Sequence, residues 1–113
     1  MRNVKNITIE GKEYPCLLTV TIVRVLEDAG FTIRVYENPA AMLAECVKIV
    51  WAGCKNYADY LQQPFDLTLM DVDIWATENK DAFGEIVTLW AELNKPVADR
   101  SGAGAKDEEK KKS

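Results

Sequence analysis

Apolar and polar residues alternate at the start of the chain. Within residues 4–17, Ile7 and Ile9 alternate with polar residues, and this alternating run ends at Gly11 and Lys12. Strict alternation is typical of a strand with one buried face, and a glycine followed by any residue suits a two-residue hairpin turn of type II′. The pattern therefore predicts a β-hairpin over residues 4–17 with Gly11 and Lys12 as its turn.

This turn decides which residues face each other across the hairpin. Ile9 is predicted to face Tyr14 and Ile7 to face Cys16, so that four apolar side chains share one side of the ribbon. In the same register Pro15 occupies a hydrogen-bonded position, although proline has no N–H to donate. The ladder is therefore predicted to be short, bulged or at an edge beyond Tyr14.

A helical period dominates most of the chain after the hairpin. Apolar residues recur there at spacings of three and four. The predicted helices cover about residues 19–29, 39–54, 69–78 and 82–94. The first stops before Gly30, although its β-branched residues would also suit a strand. We predict a mainly α, small α+β fold, with an N-terminal hairpin, a compact bundle of about four helices and a disordered C-terminal tail.

The second helix has the clearest start. Asn38 can cap it and Pro39 suits its first position, while Gly53 lies near its predicted end. Residues 55–66 are rich in polar residues and are predicted to be a connection. One stripe of the helix is apolar and is predicted to face the core: Leu43, Val47, Val50 and Cys54. This is the most apolar helix, so we expect it to be central.

Capping signals also mark the last two helices. Thr68 stands in a capping-box relation to Asp71, with aspartate in place of the preferred glutamate or glutamine. Asp81 is predicted to cap the final helix. That helix has the cleanest amphipathic spacing in the chain, through Phe83, Ile86, Val87, Trp90 and Leu93.

Two segments depart from the helical pattern. Residues 31–36 alternate between apolar and polar side chains and, on pattern alone, form a strand. Residues 95–113 combine small residues with a run of charges and have too little apolar surface to bury. We predict a single folded domain over residues 1–94 and a disordered charged tail over residues 95–113.

Composition and charge narrow the classes of function. The chain has 113 residues with 14 basic, 18 acidic and no histidine side chains. The tail holds six basic and four acidic groups, so the folded domain is acidic and nucleic-acid binding through it is disfavoured. No apolar run is long enough to span a membrane, and the N-terminus does not resemble a signal peptide. We therefore expect a cytosolic protein.

The residues that usually carry enzyme chemistry are scarce. Without histidine, most hydrolase triads and most zinc sites are excluded. The two serines, Ser101 and Ser113, lie in the predicted tail. Three cysteines form no CxxC pair, and we interpret them as reduced core thiols. We predict no enzyme activity, no metal and no cofactor.

The three tryptophans are the candidate partner-binding residues. Trp51, Trp75 and Trp90 could anchor an interface, because tryptophan is enriched among residues that dominate binding energy. Each also falls in or beside an apolar stripe, and a small domain needs large side chains in its core. Core packing and partner binding both remain open for them at this point.

The order of several short segments resembles that of a known family. The segments are residues 7–14 (ITIEGKEY), 26–30 (LEDAG), 50–53 (VWAG), 67–69 (LTL) and 83–86 (FGEI). This order is similar to that of the small tail assembly chaperones of long-tailed bacteriophages and related prophages. The resemblance covers about residues 4–93, and its motifs are short and degenerate.

Membership of that family would imply a non-enzymatic role. Such chaperones bind the tape measure protein, keep it soluble and help the tail tube assemble in the cytoplasm of the bacterial host. The tail tube protein and a second copy of the chain are further candidate partners. The resemblance also implies a helix where residues 31–36 alternate like a strand. The alternatives are a structural tail completion or connector protein and a small regulatory interaction domain.

Overall fold

An N-terminal hairpin and four helices make up residues 3–93, the part of the chain that the computed structural model describes. The elements are β1 (Val4–Ile9), β2 (Lys12–Leu17), α1 (Ile22–Asp28), α2 (Pro39–Tyr60), α3 (Leu69–Glu78) and α4 (Lys80–Leu93). The predicted α+β class with a hairpin and four helices is confirmed. The predicted disordered tail at residues 95–113 lies outside the described residues.

The hairpin turn differs from the predicted one by one position. Its central residues are Glu10 and Gly11, with φ angles of 52° and 80°, and Ile9 pairs with Lys12. Positive φ at both central residues defines a type I′ turn, whose twist matches that of the strands. The predicted turn at Gly11 and Lys12 is therefore wrong, and the pairing is shifted by two residues.

Pro15 gives a physical reason for the observed register. It pairs with Asn6, and since hydrogen-bonded and non-hydrogen-bonded pairs alternate outward from the turn, this pair needs no donor from proline. The ladder continues without a bulge to Leu17, so it is neither short nor bulged beyond Tyr14, but β2 is an edge strand of this two-stranded sheet, as the third alternative predicted. A two-residue shift preserves the faces of a strand, so the predicted apolar side is confirmed: Ile7 and Cys16 are buried, and Ile9 and Tyr14 pack against the core.

Helix α2 is the centre of the fold, as predicted. It contacts β2 and all three other helices. It is 22 residues long and continues six residues beyond the predicted end at residue 54, so residues 55–60 are helical rather than a connection. The Asn56 carboxamide explains this extension, because it donates to the Leu17 carbonyl at 3.1 Å and to the Thr19 hydroxyl at 3.2 Å. A polar residue that suggested a loop therefore joins α2 to the end of the hairpin.

Helix α1 is shorter than predicted. It begins at Ile22 rather than near residue 19, because the Thr19 hydroxyl accepts the bond from Asn56 and its carbonyl closes a turn with the Ile22 N–H at 3.2 Å. At the other end, Gly30 adopts a φ of 89°. The predicted glycine stop is confirmed, since this left-handed conformation ends helices.

The capping box of α3 forms as predicted. The Thr68 hydroxyl accepts from the Asp71 N–H at 3.1 Å, and the Asp71 carboxylate accepts from the Thr68 N–H at 3.0 Å. The Thr68 N–H, and after it the Thr68 hydroxyl, holds the pKa of the Asp71 carboxyl below its usual range. Helix α4 begins at Lys80, and Asp81 lies in its first turn. Asp81 is therefore not the cap, because the first helical bond runs from the Phe83 N–H to the Asn79 carbonyl at 2.9 Å.

Residues 31–36 are neither strand nor helix, so both expectations for this segment are wrong. Its polar backbone groups bond to side chains of α2 instead of to a neighbouring strand. The Arg34 N–H donates to Glu45 at 2.9 Å, and the Lys48 ammonium donates to the Thr32 carbonyl at 3.0 Å. Alternation indicates the packed side for only part of the segment, since Phe31 and Ile33 pack against the core but Val35 is 89% exposed.

Glu45 is a buried carboxylate that holds this segment. It is 8% exposed, and it also pairs with the Lys48 ammonium at 3.1 Å. The bond from the Arg34 N–H, aided by Lys48, outweighs burial and lowers the pKa of Glu45 from its ordinary value of 4.5. The folded chain therefore favours the ionised form of this group.

Replacing Glu45 with glutamine is expected to lower the free energy of unfolding by about 1–3 kcal/mol at neutral pH, because a buried network of charged hydrogen bonds is disrupted. Since the pKa of Glu45 is lowered by folding, its stabilisation is present above its ordinary pKa of 4.5. That stabilisation is lost as the pH falls through the lowered pKa of the folded state. The difference in the free energy of unfolding between the wild type and Glu45→Gln should therefore become smaller at acidic pH.

Urea unfolding at neutral pH and at about pH 3 measures this difference. Glu27→Gln is the matched control, because Glu27 is exposed on α1. A wild-type minus Glu45→Gln difference that is the same at both pH values would contradict this role of Glu45.

Candidate functional site

Trp51 lies in the core. Its side chain is 8% exposed, and its indole N–H donates to the Leu67 carbonyl at 2.8 Å. The ring makes edge-to-face contacts with Phe31 and Phe65 at centroid distances of 5.4 and 5.6 Å. Trp51 therefore connects α2 to the two segments that flank it in space.

The other two tryptophans lie in different surroundings. Trp75 is 5% exposed and makes an edge-to-face contact with Phe83 at 6.5 Å between ring centroids. Trp90 is partly buried and packs against the core from α4. Because Trp51 and Trp75 are buried, they belong to the core. Core packing was one of the two roles that the sequence left open for them. Neither indole ring is exposed enough to form the wall of a partner-binding groove.

The structure does contain an open apolar groove, at another place. It has a volume of about 450 Å³ and lies where α2, α3 and α4 meet. Its apolar walls include Leu43 and Val47 of α2, Ala76 of α3, and Phe83 and Gly84 of α4. Leu43 remains 52% exposed, so the prediction that the whole stripe of α2 faces the core is wrong at this end of the helix.

Small side chains keep the groove open. Ala40 and Ala44 line it one helical turn apart on α2, where larger residues would fill the space between the helices. Gly84 lines it from α4, and a Cβ atom at this position would meet no atom within 4 Å. The signal in the sequence was therefore a set of small residues on otherwise amphipathic helices, and not the tryptophans.

Exposed apolar side chains continue from the groove along α3. Met70 is 62% exposed and Ile74 is 51% exposed. Each lies three residues before a groove residue, Asp73 and Thr77 respectively, and residues at this spacing are neighbours on a helix surface. A contiguous apolar patch on a small protein commonly marks an interaction surface.

The surroundings of the groove are acidic. Residues 3–93 hold fourteen acidic and seven basic side chains. On α3 and α4 together, residues 69–93 hold six acidic groups and one basic group, Lys80. Asp73 and Lys80 line the groove, one charge of each sign, while Glu78, Asp81 and Glu85 are exposed on the same two helices. The groove therefore has apolar walls, and the exposed surface of α3 and α4 around it, its rim, carries a net negative charge.

The cysteines show no sign of nucleophilic chemistry. Cys16, Cys46 and Cys54 are all buried and unbridged, as predicted. The hydrogen bond with Cys16, reinforced by burial, raises the pKa of the Cys54 thiol, and burial raises that of Cys46. Thiols are nucleophilic as thiolates, so Cys46 and Cys54 are kept in their unreactive form.

Two other kinds of feature are absent from the part of the chain that the structure describes. Within residues 3–93, no group of three or more cysteine, aspartate or glutamate side chains is placed to hold a metal ion. Among the helices of the same range, none combines the length and the apolar character that crossing a membrane requires.

Comparisons with models of protein families, with curated proteins and with solved structures find no significant match to this chain.

Proposed function

We propose that this protein is a tail assembly chaperone of a long-tailed bacteriophage or prophage. It acts in the cytoplasm of the bacterial host, where it binds apolar helical segments of the tape measure protein and assists assembly of the tail tube. The observation that carries this proposal is the open apolar groove between α2, α3 and α4, since helical partners commonly bind in such grooves.

The segments behind the family resemblance have structural roles in this fold. Residues 7–14 contain the hairpin turn, and residues 50–53 end on Gly53, where α2 approaches Cys16 of β2. Residues 67–69 contain the Thr68 cap of α3. These segments therefore coincide with a turn, a close approach of α2 to β2 and a helix cap, which supports the resemblance.

The chemistry of the groove suits reversible binding. Burying a leucine-sized side chain contributes about 1.5–3 kcal/mol, and association itself costs several kcal/mol. A groove of about 450 Å³ accommodates only a few such side chains. Binding that is favourable but weak would protect apolar segments of the tape measure protein and release them when tube subunits compete for the same surface.

Co-expression with the tape measure protein from the same phage or prophage tests the proposal. We expect this protein to raise the soluble yield of the tape measure protein about tenfold, because buried apolar segments no longer aggregate. Leu43→Lys is expected to remove most of that increase, since Leu43 is an exposed wall of the groove.

Val20→Lys is the matched control for this experiment. Val20 is 69% exposed and lies outside the groove, so the same substitution changes charge and exposed apolar area without entering the site. Equal loss of soluble yield with Leu43→Lys and Val20→Lys would rule out the groove as the binding surface. No increase in yield with the wild-type protein would refute the chaperone function.

A further inference from the structure

We propose that the groove binds one amphipathic α-helix that carries lysine or arginine beside its apolar stripe. This inference rests on the proposed function for the source of the helix, a segment of the tape measure protein. It adds the amphipathic pattern and the charge of the helix that binds.

The walls of the groove favour a helix over an extended segment. All three walls are helices that present side chains, so no strand edge is available to pair with an extended backbone. An extended segment would bury unpaired N–H and C=O groups against apolar side chains, whereas a helix satisfies its own backbone. The α2 wall runs from Ala40 to Val47, about 10 Å or two helical turns at 1.5 Å per residue.

Small residues provide the close approach that a docked helix needs. Ala40, Ala44 and Ala76 line the groove together with Gly84. Gly84 lies in the interior of α4, where alanine would stabilise the helix more, and the space beyond its Cα is empty. A glycine at this position is therefore not explained by the stability of α4. It is explained if a side chain of the partner occupies the space that a larger residue would fill.

The net negative charge of the surface around the groove favours a basic helix over other occupants. Asp73 and Lys80 line the groove and balance each other, so the net negative charge comes from exposed acids around it, among them Asp81 and Glu85 on α4. Lysine or arginine beside the apolar stripe of a partner would meet this negative rim favourably, whereas acidic flanks would be repelled. A second copy of this chain would bring one acidic rim against another, so charge disfavours self-association through the groove.

Synthetic helical peptides test the proposal directly. One peptide carries leucines at i, i+3, i+4 and i+7 with lysine flanks, a second has the same leucines with glutamate flanks, and a third has a central proline that interrupts the helix. Fluorescence anisotropy gives the Kd of each for the full-length protein. We expect the glutamate and proline peptides to bind about tenfold or more weakly than the lysine peptide, a change of about 1.4 kcal/mol per factor of ten.

Variants of the protein locate the binding surface. Gly84→Leu fills the groove and is expected to weaken binding of the lysine peptide by about tenfold or more. Ala82→Leu is its control on the far side of α4, since Ala82 is exposed and does not line the groove. Asp73→Lys is expected to weaken binding and to reduce its salt dependence, and Glu27→Lys on α1 makes the same charge change outside the groove.

The outcomes separate this inference from the proposed function. If the tape measure protein is solubilised but the lysine and glutamate peptides bind equally, the inference fails and the chaperone function stands. If the lysine peptide binds to the wild-type protein and Gly84→Leu weakens that binding, but the tape measure protein is not solubilised, the chaperone function fails and the inference about the groove stands. A dimer in analytical ultracentrifugation that Gly84→Leu dissociates would show that a second copy occupies the groove and would overturn the inference.

Discussion

Replacing Trp51 with alanine is expected to lower the free energy of unfolding by about 3–5 kcal/mol, the range for removing a buried aromatic side chain. The ring is 8% exposed and contacts Phe31 and Phe65 edge to face. Its loss would leave a cavity between α2 and both flanking segments, and the Leu67 carbonyl would lose its donor. Small domains have a total stability of about 5–15 kcal/mol, so the loss threatens the fold itself.

Urea unfolding of wild type and variants measures this effect. Trp51→Phe is the milder variant, because it keeps an aromatic ring and removes the hydrogen bond to Leu67, at a cost of about 1–3 kcal/mol. Trp90→Ala is the comparison within the chain and should cost less than Trp51→Ala, since Trp90 is only partly buried. A cost below about 1 kcal/mol for Trp51→Ala would contradict its assignment to the core.

Replacing Gly53 with alanine is expected to destabilise the protein by about 1–3 kcal/mol or more, as overpacking of a core does. A Cβ atom at Gly53 would overlap the Cys16 sulfur and lie 3.3 Å from the Leu18 side chain. Alanine favours a helix interior by about 1 kcal/mol relative to glycine, so a net loss requires the steric effect to exceed this gain. The substitution forces α2 away from β2.

Gly84→Ala is the matched control, because Gly84 is also inside a helix but has empty space beyond its Cα. It is expected to raise the free energy of unfolding by up to about 1 kcal/mol. Combining Gly53→Ala with Cys16→Ala should cost less than the sum of the two single changes, since removal of the sulfur makes room for the new methyl group. The same effect of alanine at positions 53 and 84 would contradict the close contact.

Helix starts were predictable because capping is local chemistry. The Asn38 side chain accepts from the backbone N–H groups of Ala40 and Ala41 at 2.8 and 3.2 Å, and the Thr68 box forms as its sequence indicates. The continuation of α2 past Gly53 was not predictable in this way. It depends on Asn56 bonding to the end of the hairpin, 39 residues away in sequence.

The hairpin and residues 31–36 show the limits of pattern alone. Alternation identifies which side of a strand is buried, and that prediction is confirmed for Ile7 and Cys16. It does not distinguish registers that differ by two residues, because both bury the same side. For residues 31–36 alternation indicated one packed side, which holds for Phe31 and Ile33 but not for the exposed Val35. The backbone of this segment bonds to side chains of α2 and not to a neighbouring strand.

The candidate site was the least predictable part. Tryptophan is common both in cores and in interfaces, and sequence does not decide which role each one has. The groove is open because the residues at three lining positions are small: Ala40, Ala44 and Gly84. Helical periodicity distinguishes apolar from polar positions but takes no account of side-chain size. Leu43 belongs to an apolar stripe in the sequence, but it is half-exposed because the neighbouring helices do not cover that end of α2.

The soluble yield of the tape measure protein, co-expressed with and without this protein, tests the central claim most directly. We expect the yield to rise about tenfold with the wild-type protein, to stay high with Val20→Lys and to fall back with Leu43→Lys. The two variants differ because Leu43 lines the groove and Val20 does not. A yield that is the same with and without the wild-type protein would contradict the central claim.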